Sequence, residues 1–133
     1  MAYLYPVAAA VAAWIFGAVW YGVLGKQYQM ALGKDPEQCK GQKMPIAPLV
    51  VCFLGELVMA AVFSWLLTHL SAVGWMWGAH MGLLIGTGIV LPTVIINHMF
   101  PGRTKALMVI DGLHWVIVAT IEGAVLGFFA GLQ

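Results

Sequence analysis

The stretch KALMVIDGLHWVIVATIEGAVLGFFAGL, residues 105–132, decides the fold of this chain. It exceeds the roughly 20 residues that a helix with a rise of about 1.5 Å per residue needs to cross a bilayer. A segment this long and apolar is expected to be a helix, because a lone strand in lipid would leave its backbone unpaired. The stretch nevertheless contains Asp111, His114 and Glu122, and burying such groups costs several kcal/mol unless each has a partner.

Three more apolar stretches of this length precede it, at about residues 2–24, 46–69 and 74–100. The 133 residues are 62% hydrophobic and 8% charged, whereas about a quarter of the residues in soluble domains are charged. The composition therefore excludes a soluble domain, and a net charge of +1 without a basic stripe excludes nucleic-acid binding. We predict an all-α integral membrane protein, with residues 1–133 forming a single domain of four transmembrane helices in a bundle.

The basic residues predict the orientation of the spans. All six lie in the connections between spans one and two and between spans three and four: Lys26, Lys34, Lys40, Lys43, Arg103 and Lys105. Basic loops of membrane proteins stay in the cytoplasm. We therefore expect both connections to be cytoplasmic and both termini to face outward, in what we predict is a bacterial inner membrane.

The longer connection has room for structure of its own. The sequence here matches a helix start, with Asp35 as the cap, Pro36 at the first position and Gln38 three residues after the cap. This pattern predicts a short cytoplasmic or interfacial helix. At the end of the first span, Trp20 and Tyr21 are predicted to anchor the helix at the membrane interface.

Ionisable residues recur on one face of each of the last two spans. With 100° per residue, the three ionisable groups of the fourth span share one face. In the third span His80 and His98 also share a face, unless the proline at position 92 kinks the helix. Glu56 lies near the middle of the second span.

Counting the helical rise from each end of a span predicts which side chains lie at the same depth in the membrane. His80 comes to the depth of Glu122 in the outer half of the membrane, and Asn97 with His98 comes to the depth of Asp111 in the inner half. We therefore predict a polar stripe inside the bundle, made of Glu56, His80, Asn97, His98, Asp111, His114 and Glu122.

Small residues occupy the opposite faces of the same two spans, four residues apart. Such faces let helix backbones approach closely in a membrane, where the hydrophobic effect does not drive association. We predict that they pack against another helix or another subunit. The helix-packing glycines are Gly74, Gly78, Gly82 and Gly86 in the third span and Gly123, Gly127 and Gly131 in the fourth.

The polar stripe has two interpretations. Chains of Asp, Glu and His are typical of proton or cation paths inside membranes, and the same groups also serve as structural pairs that hold helices in register. The spacing contains no compact metal-ligand motif, no level pair of histidines for haem and no nucleophile turn. We therefore predict no metal site, no cofactor and no catalytic residue, which makes an enzyme the less favoured class.

Two segments resemble a known family. The first is WIFGAVWYGVLGK at residues 14–26, and the second runs through residues 82–114, with Ile-Asn-His at 96–98 and Asp-Gly-Leu-His at 111–114. Together they resemble DUF1761 (domain of unknown function 1761), a family of small bacterial and fungal membrane proteins, over nearly the whole chain. The resemblance implies an integral membrane fold with four spans, and it implies no activity, substrate or cofactor.

Three functions remain open from the sequence. The first is a protein that self-associates through its glycine faces and passes or senses a proton or small cation along the polar stripe. The second is an accessory or structural subunit of a larger membrane complex, whose glycine faces meet a helix of another membrane protein. The third is a lipid- or quinone-binding protein or enzyme that uses the cluster between Asn97 and His114.

Overall fold

The computed structural model describes residues 3–41, 45–71 and 73–132, and within these ranges the regular structure is helical. Four helical spans are long and apolar enough to cross a membrane, which confirms the predicted fold class. The third span consists of two α-helices joined by a π-helical turn, Gly86–Val90. The helices in chain order are α1 (Leu4–Val23), α2 (Gly25–Ala31), α3 (Ile46–His69), α4 (Trp75–Ile85), α5 (Leu91–Met99) and α6 (Lys105–Ala130).

Both basic connections lie at the same end of the bundle, which we call the basic end. Thr104 joins them there, because its hydroxyl donates to the Ala31 carbonyl at 2.9 Å and accepts from the Leu107 N–H at 3.3 Å. The second of these bonds caps the start of α6. At the opposite end, the far end, the rings of Tyr5 and Phe129 stack with centroids 4.6 Å apart.

Helix α6 is the centre of the bundle, because it contacts every other helix. Eleven of its 26 residues are buried, compared with four in α3 and three in α1. The buried apolar residues Ala9, Ala60, Phe63 and Ala119 join α1, α3 and α6 in one cluster. Val109, Leu113 and Phe128 of α6 remain exposed, whereas His114 and Glu122 are turned toward protein.

The closest helix pair is α4 and α6, which meet along their glycine faces. A Cβ atom on Gly78 would overlap the Gly123 carbonyl, and one on Gly82 would overlap the Ala119 carbonyl. At the end of this contact, the Gly74 N–H donates to the Gly127 carbonyl at 3.0 Å. Such an approach is open only to glycine, and it brings many backbone atoms into contact. We call this contact the glycine seam.

The third span changes its helical register between α4 and α5. The Leu91 N–H donates to the Gly86 carbonyl, five residues earlier, as in a π-helix. Pro92 follows directly and has no N–H to continue the regular α-helical pattern. The extra residue in this turn rotates α5 relative to α4, so positions spaced for one straight helix do not share a face across it.

A short helix does follow the first span, but it is α2 at Gly25–Ala31 and does not begin at Asp35. The segment that begins at Asp35 forms turns instead. Asp35 Oδ1 accepts a hydrogen bond from the Glu37 N–H at 3.0 Å, and the backbone hydrogen bonds that follow each join residues three positions apart. Gly41 then has a φ of 79°. The prediction of a short helix in this connection is therefore confirmed, and the prediction that it starts at Asp35 is wrong.

The glycine seam predicts a sharp difference between two glycine substitutions. Gly82→Ala should lower the free energy of unfolding in detergent by about 1–3 kcal/mol, because the methyl group must push α4 away from the α6 backbone. Gly55→Ala is the matched control, since Gly55 lies in α3 with open space around it. That variant should be neutral or up to about 1 kcal/mol more stable. Equal melting temperatures for the two variants would contradict the seam.

Candidate functional site

Asp111 of α6 joins three helices through its carboxylate. It accepts a hydrogen bond from the Tyr21 hydroxyl of α1, with 2.6 Å between Oη and Oδ1. Its other oxygen, Oδ2, lies 2.7 Å from Nε2 of His98 in α5. The His98 and Asp111 side chains remain 22% and 14% exposed. The carboxylate thus has the two donors that a charge inside a bundle requires.

The backbone turn after α5 holds His98 in place. The Arg103 N–H donates to the His98 carbonyl at 2.9 Å, and the Gly102 N–H donates to the Met99 carbonyl at 3.0 Å. Gly102 has a φ of 70°, which favours glycine, so this is a Schellman turn. The turn directs the chain back into α6, where Asp111, thirteen residues after His98, meets the His98 ring.

Tyr28 of α2 extends this cluster toward the basic end. Its ring packs edge-to-face on the Tyr21 ring, with centroids 4.9 Å apart. Burial raises the pKa of the Tyr28 hydroxyl above its ordinary value, the Asp111 carboxylate raises it further, and the Arg103 guanidinium offsets part of the rise. The Tyr28 hydroxyl therefore keeps its proton at neutral pH and remains a donor.

His114 lies one turn further along α6, enclosed by aromatic rings. It is 1% exposed, and its ring centroid is 4.8 Å from that of Tyr21, 4.9 Å from Trp115 and 6.0 Å from Phe16. A Cβ on Gly17 would come within 3.0 Å of Nε2, so glycine makes room for the imidazole. Within the described part of the chain, neither ring nitrogen has a hydrogen-bond partner.

Glu56 of α3 and Glu122 of α6 form a buried pair of carboxyl groups. Both are 0% exposed, and they are close enough to interact electrostatically. Glu56 Oε1 accepts from the Cys52 thiol at 3.6 Å. The other three carboxyl oxygens have no hydrogen-bond partner among the residues described. All Lys and Arg lie at or beyond the ends of the spans, so this pair has no cation beside it.

These groups form one line that starts at Asp111 near the basic end and finishes at Glu122 in the far half of α6. Asp111 is hydrogen-bonded to Tyr21, and Tyr21 is close enough to Cys52 for an electrostatic interaction. Cys52 contacts Glu56, and Glu56 interacts with Glu122. The side chains come from α1, α3 and α6, so the line runs between the helices rather than along any one of them.

Two residues assigned to the polar stripe lie elsewhere. His80 and Asn97 are both exposed at the surface of the chain, so their predicted place in a stripe inside the bundle is wrong. The reason is the glycine seam, because it turns the glycine face of α4 toward α6 and the opposite face, with His80, outward. The ring of His80 packs edge-to-face with Trp77, with centroids 6.3 Å apart. Of the Asn97-His98 pair, His98 reaches Asp111.

The glycine faces contact each other within one chain. The sequence left open whether they pack on another helix or on another subunit, and the structure uses both faces in the seam between α4 and α6. The expectation that they are free for self-association is therefore corrected. Gly131 lies at the end of the seam, where an added Cβ would be in ordinary contact 3.7 Å from the Gly74 Cα. A contact with a second subunit would have to use another surface.

Trp20 and Tyr21 do more than mark a membrane interface. Trp20 Nε1 donates to the Ile110 carbonyl at 3.2 Å, and the Tyr21 hydroxyl donates to the neighbouring Asp111. Both side chains are half-buried against α6. The two residues predicted as anchors therefore attach α1 to α6 beside the ionisable cluster.

Sequence reasoning missed five members of this site, which are Phe16, Gly17, Tyr28, Cys52 and Trp115. Cys52 and Glu56 are four residues apart on α3, and this spacing predicts that their side chains are neighbours on the helix. Phe16 and Gly17 lie on α1 about one hundred residues from His114 in the chain, and nothing in the local pattern indicates that they meet it. Trp115 is adjacent to His114, yet its ring is recognisable as part of the enclosure only in three dimensions.

The chemistry that this line of groups can perform is proton exchange. Carboxyl, phenol, thiol and imidazole groups each bind and release a proton. Across residues 3–41, 45–71 and 73–132, no three His, Cys, Asp or Glu side chains are arranged to hold a metal ion.

The fold and its buried ionisable groups define a class of protein, an all-helical bundle of four membrane-span-like helices with a polar interior. The chain belongs to the family described as protein of unknown function (DUF1761), whose profile matches residues 5–127. The match confirms the resemblance read from the sequence and includes nearly all of the four spans. No curated protein and no solved structure matches the chain.

The bond between Tyr21 and Asp111 predicts energetic coupling. In a double-mutant cycle of Tyr21→Phe and Asp111→Asn, the two losses of unfolding free energy should differ from additivity by about 0.5–3 kcal/mol. The control cycle pairs Asp111→Asn with Tyr3→Phe, since Tyr3 is exposed at the far end. The control should be additive within about 0.5 kcal/mol. Additivity in both cycles would show that the hydrogen bond does not form.

Proposed function

We propose that this protein transfers protons within the membrane, along the line of groups from His98 and Asp111 through Tyr21 to Glu56 and Glu122. The observation that carries the proposal is the buried pair Glu56 and Glu122, which has three unpartnered carboxyl oxygens among the described residues and no cation beside it. Burying an unpaired charge costs several kcal/mol. If these two glutamates served only to hold the helices in register, burying both of them would not be favoured.

Geometry supports a proton rather than a metal ion or a sodium ion. A bound Ca²⁺ or Mg²⁺ ion typically takes about six oxygen ligands. Glu56 and Glu122 together supply four carboxyl oxygens at most. The one hydrogen bond to these two carboxyl groups among the described residues comes from the thiol of Cys52, which donates to Glu56 Oε1. A single proton needs only one carboxyl oxygen at a time, and each group along the line can hold one.

The proposed transfer begins at the basic end, where His98 and Asp111 retain partial exposure. A proton taken up there protonates the Asp111 carboxylate. The Tyr21 hydroxyl then turns away from Asp111 and gives its own proton to Cys52, while Tyr21 Oη accepts the proton from Asp111, so Tyr21 stays neutral. Cys52 accepts that proton as its thiol gives its own to Glu56. Cys52 and Glu56 continue the line to Glu122. Each step moves a proton between oxygen, nitrogen or sulfur atoms, with no change of oxidation state.

Under this proposal the basic end faces the cytoplasm. Lys26, Lys34, Lys40, Arg103 and Lys105 all belong to the connections at that end. Basic loops remain on the cytoplasmic side during insertion. The His98–Asp111 pair then exchanges protons with the cytoplasm, and Glu122 lies nearer the opposite side.

Proton flux in liposomes tests the proposal. Purified protein should dissipate an imposed pH gradient, followed with an internal pH dye, and Glu122→Gln should reduce the flux to that of protein-free liposomes. An amide has nearly the shape of the carboxylic acid but does not exchange a proton in the same way.

The matched control is Glu37→Gln, because Glu37 is an exposed glutamate that pairs with Lys40 outside the spans. That variant should conduct as the unmodified protein does. Equal flux for the unmodified protein and Glu122→Gln would reject proton transfer through Glu122.

A further inference from the structure

A cavity of about 300 Å³ opens at the far end of the bundle, between α1, α3 and α6. Its polar lining consists of hydroxyl side chains, which are Tyr5, Ser64, Thr68 and Ser71. The space is large enough for several water molecules, and hydroxyl groups offer the donors and acceptors that ordered water needs. The proton line does not use this cavity.

An apolar layer separates the cavity from Glu122. Leu67 of α3 and Leu126 of α6 line the cavity and are 3% and 4% exposed. Leu126 lies one helical turn beyond Glu122 on the same helix, and side chains four residues apart on a helix are neighbours. Both leucines belong to the buried cluster that joins α1, α3 and α6.

We propose that the far-end cavity is a water-filled vestibule for protons, and that Leu67 and Leu126 form the gate between it and Glu122. The vestibule and gate give the proposed proton line its second entrance, so the part played by the proton rests on the proposed function. The presence of water in the vestibule does not depend on the proposed function.

The gate follows from the physics of water in narrow apolar spaces. A constriction lined by hydrocarbon side chains expels water and so interrupts the hydrogen-bonded chain along which protons move. The distance to be bridged is short, because one turn of α6 advances about 5.4 Å. A rotamer change of the two leucines is enough to let one or two water molecules connect Glu122 with the hydroxyl-lined cavity. The line is therefore expected to be open to the basic end and closed to the far end at rest.

Thiol labelling tests the vestibule without reference to protons. In a Cys39→Ser background, Ser64→Cys and Val62→Cys are exposed from the far end to a membrane-impermeant methanethiosulfonate, and peptide mass identifies the labelled site. Val62 is the matched control, two residues away on α3 and 60% exposed on the surface of the chain, which faces lipid in a membrane. Ser64→Cys should react at least about tenfold faster, because the reagent needs water to reach an ionised thiol. Equal or slower labelling of Ser64→Cys would overturn the vestibule.

Flux through leucine variants tests the gate. Leu126→Ser should raise proton flux by about tenfold, equivalent to lowering the barrier by about 1.4 kcal/mol, and adding Glu122→Gln should remove the increase. Leu54→Ser is the control, since Leu54 is 53% exposed on α3. If Leu126→Ser leaves the flux of a folded protein unchanged, the gate is rejected.

The two experiments separate the claims. Flux that depends on Glu122, together with equal labelling at both cysteines, rejects the vestibule and keeps the proposed function. Faster labelling of Ser64→Cys without any flux keeps the vestibule and rejects both the gate and proton transfer.

Discussion

The backbone-to-backbone contact between α4 and α6 determines how the rest of the molecule is arranged. Gly78 and Gly82 face Gly123 and Ala119 so closely that no larger residue fits at the glycine positions. In lipid, where apolar surface alone does not hold helices together, such contact supplies the packing energy. It fixes one side of α6 against α4, and the opposite side is left for α1 and α3.

This arrangement explains why the central helix carries the ionisable residues. Because α6 is covered by protein on several sides, His114 and Glu122 are buried among other helices and not in lipid. The stability lost by burying them is offset by the seam and by the apolar cluster around Ala60 and Ala119. The proposed proton line therefore depends on α6 being the central helix. Its other members come from the helices that pack on α6 away from the glycine seam.

Local pattern and composition were sufficient for the spans, the family and the glycine faces, since each is a property of one segment. They were insufficient wherever two distant segments meet. The hydrogen bond between Tyr21 and Asp111 joins residues 90 positions apart, and no periodicity contains it. His80 was misplaced because a helical wheel shows that two faces are opposite but not which one meets a neighbour. The π-helical turn at Gly86–Val90 then removed the shared face of His80 and His98.

The central claim is that the glycine seam lies within one chain and holds α6 at the core. The most direct measurement is the mass of the Gly78→Leu variant in detergent by light scattering, combined with its thermal unfolding. An intrachain seam predicts that the variant loses stability or fails to fold, while any folded fraction keeps the subunit number of the unmodified protein. A folded, equally heat-stable variant with fewer subunits would contradict the claim, because the seam would then join separate chains.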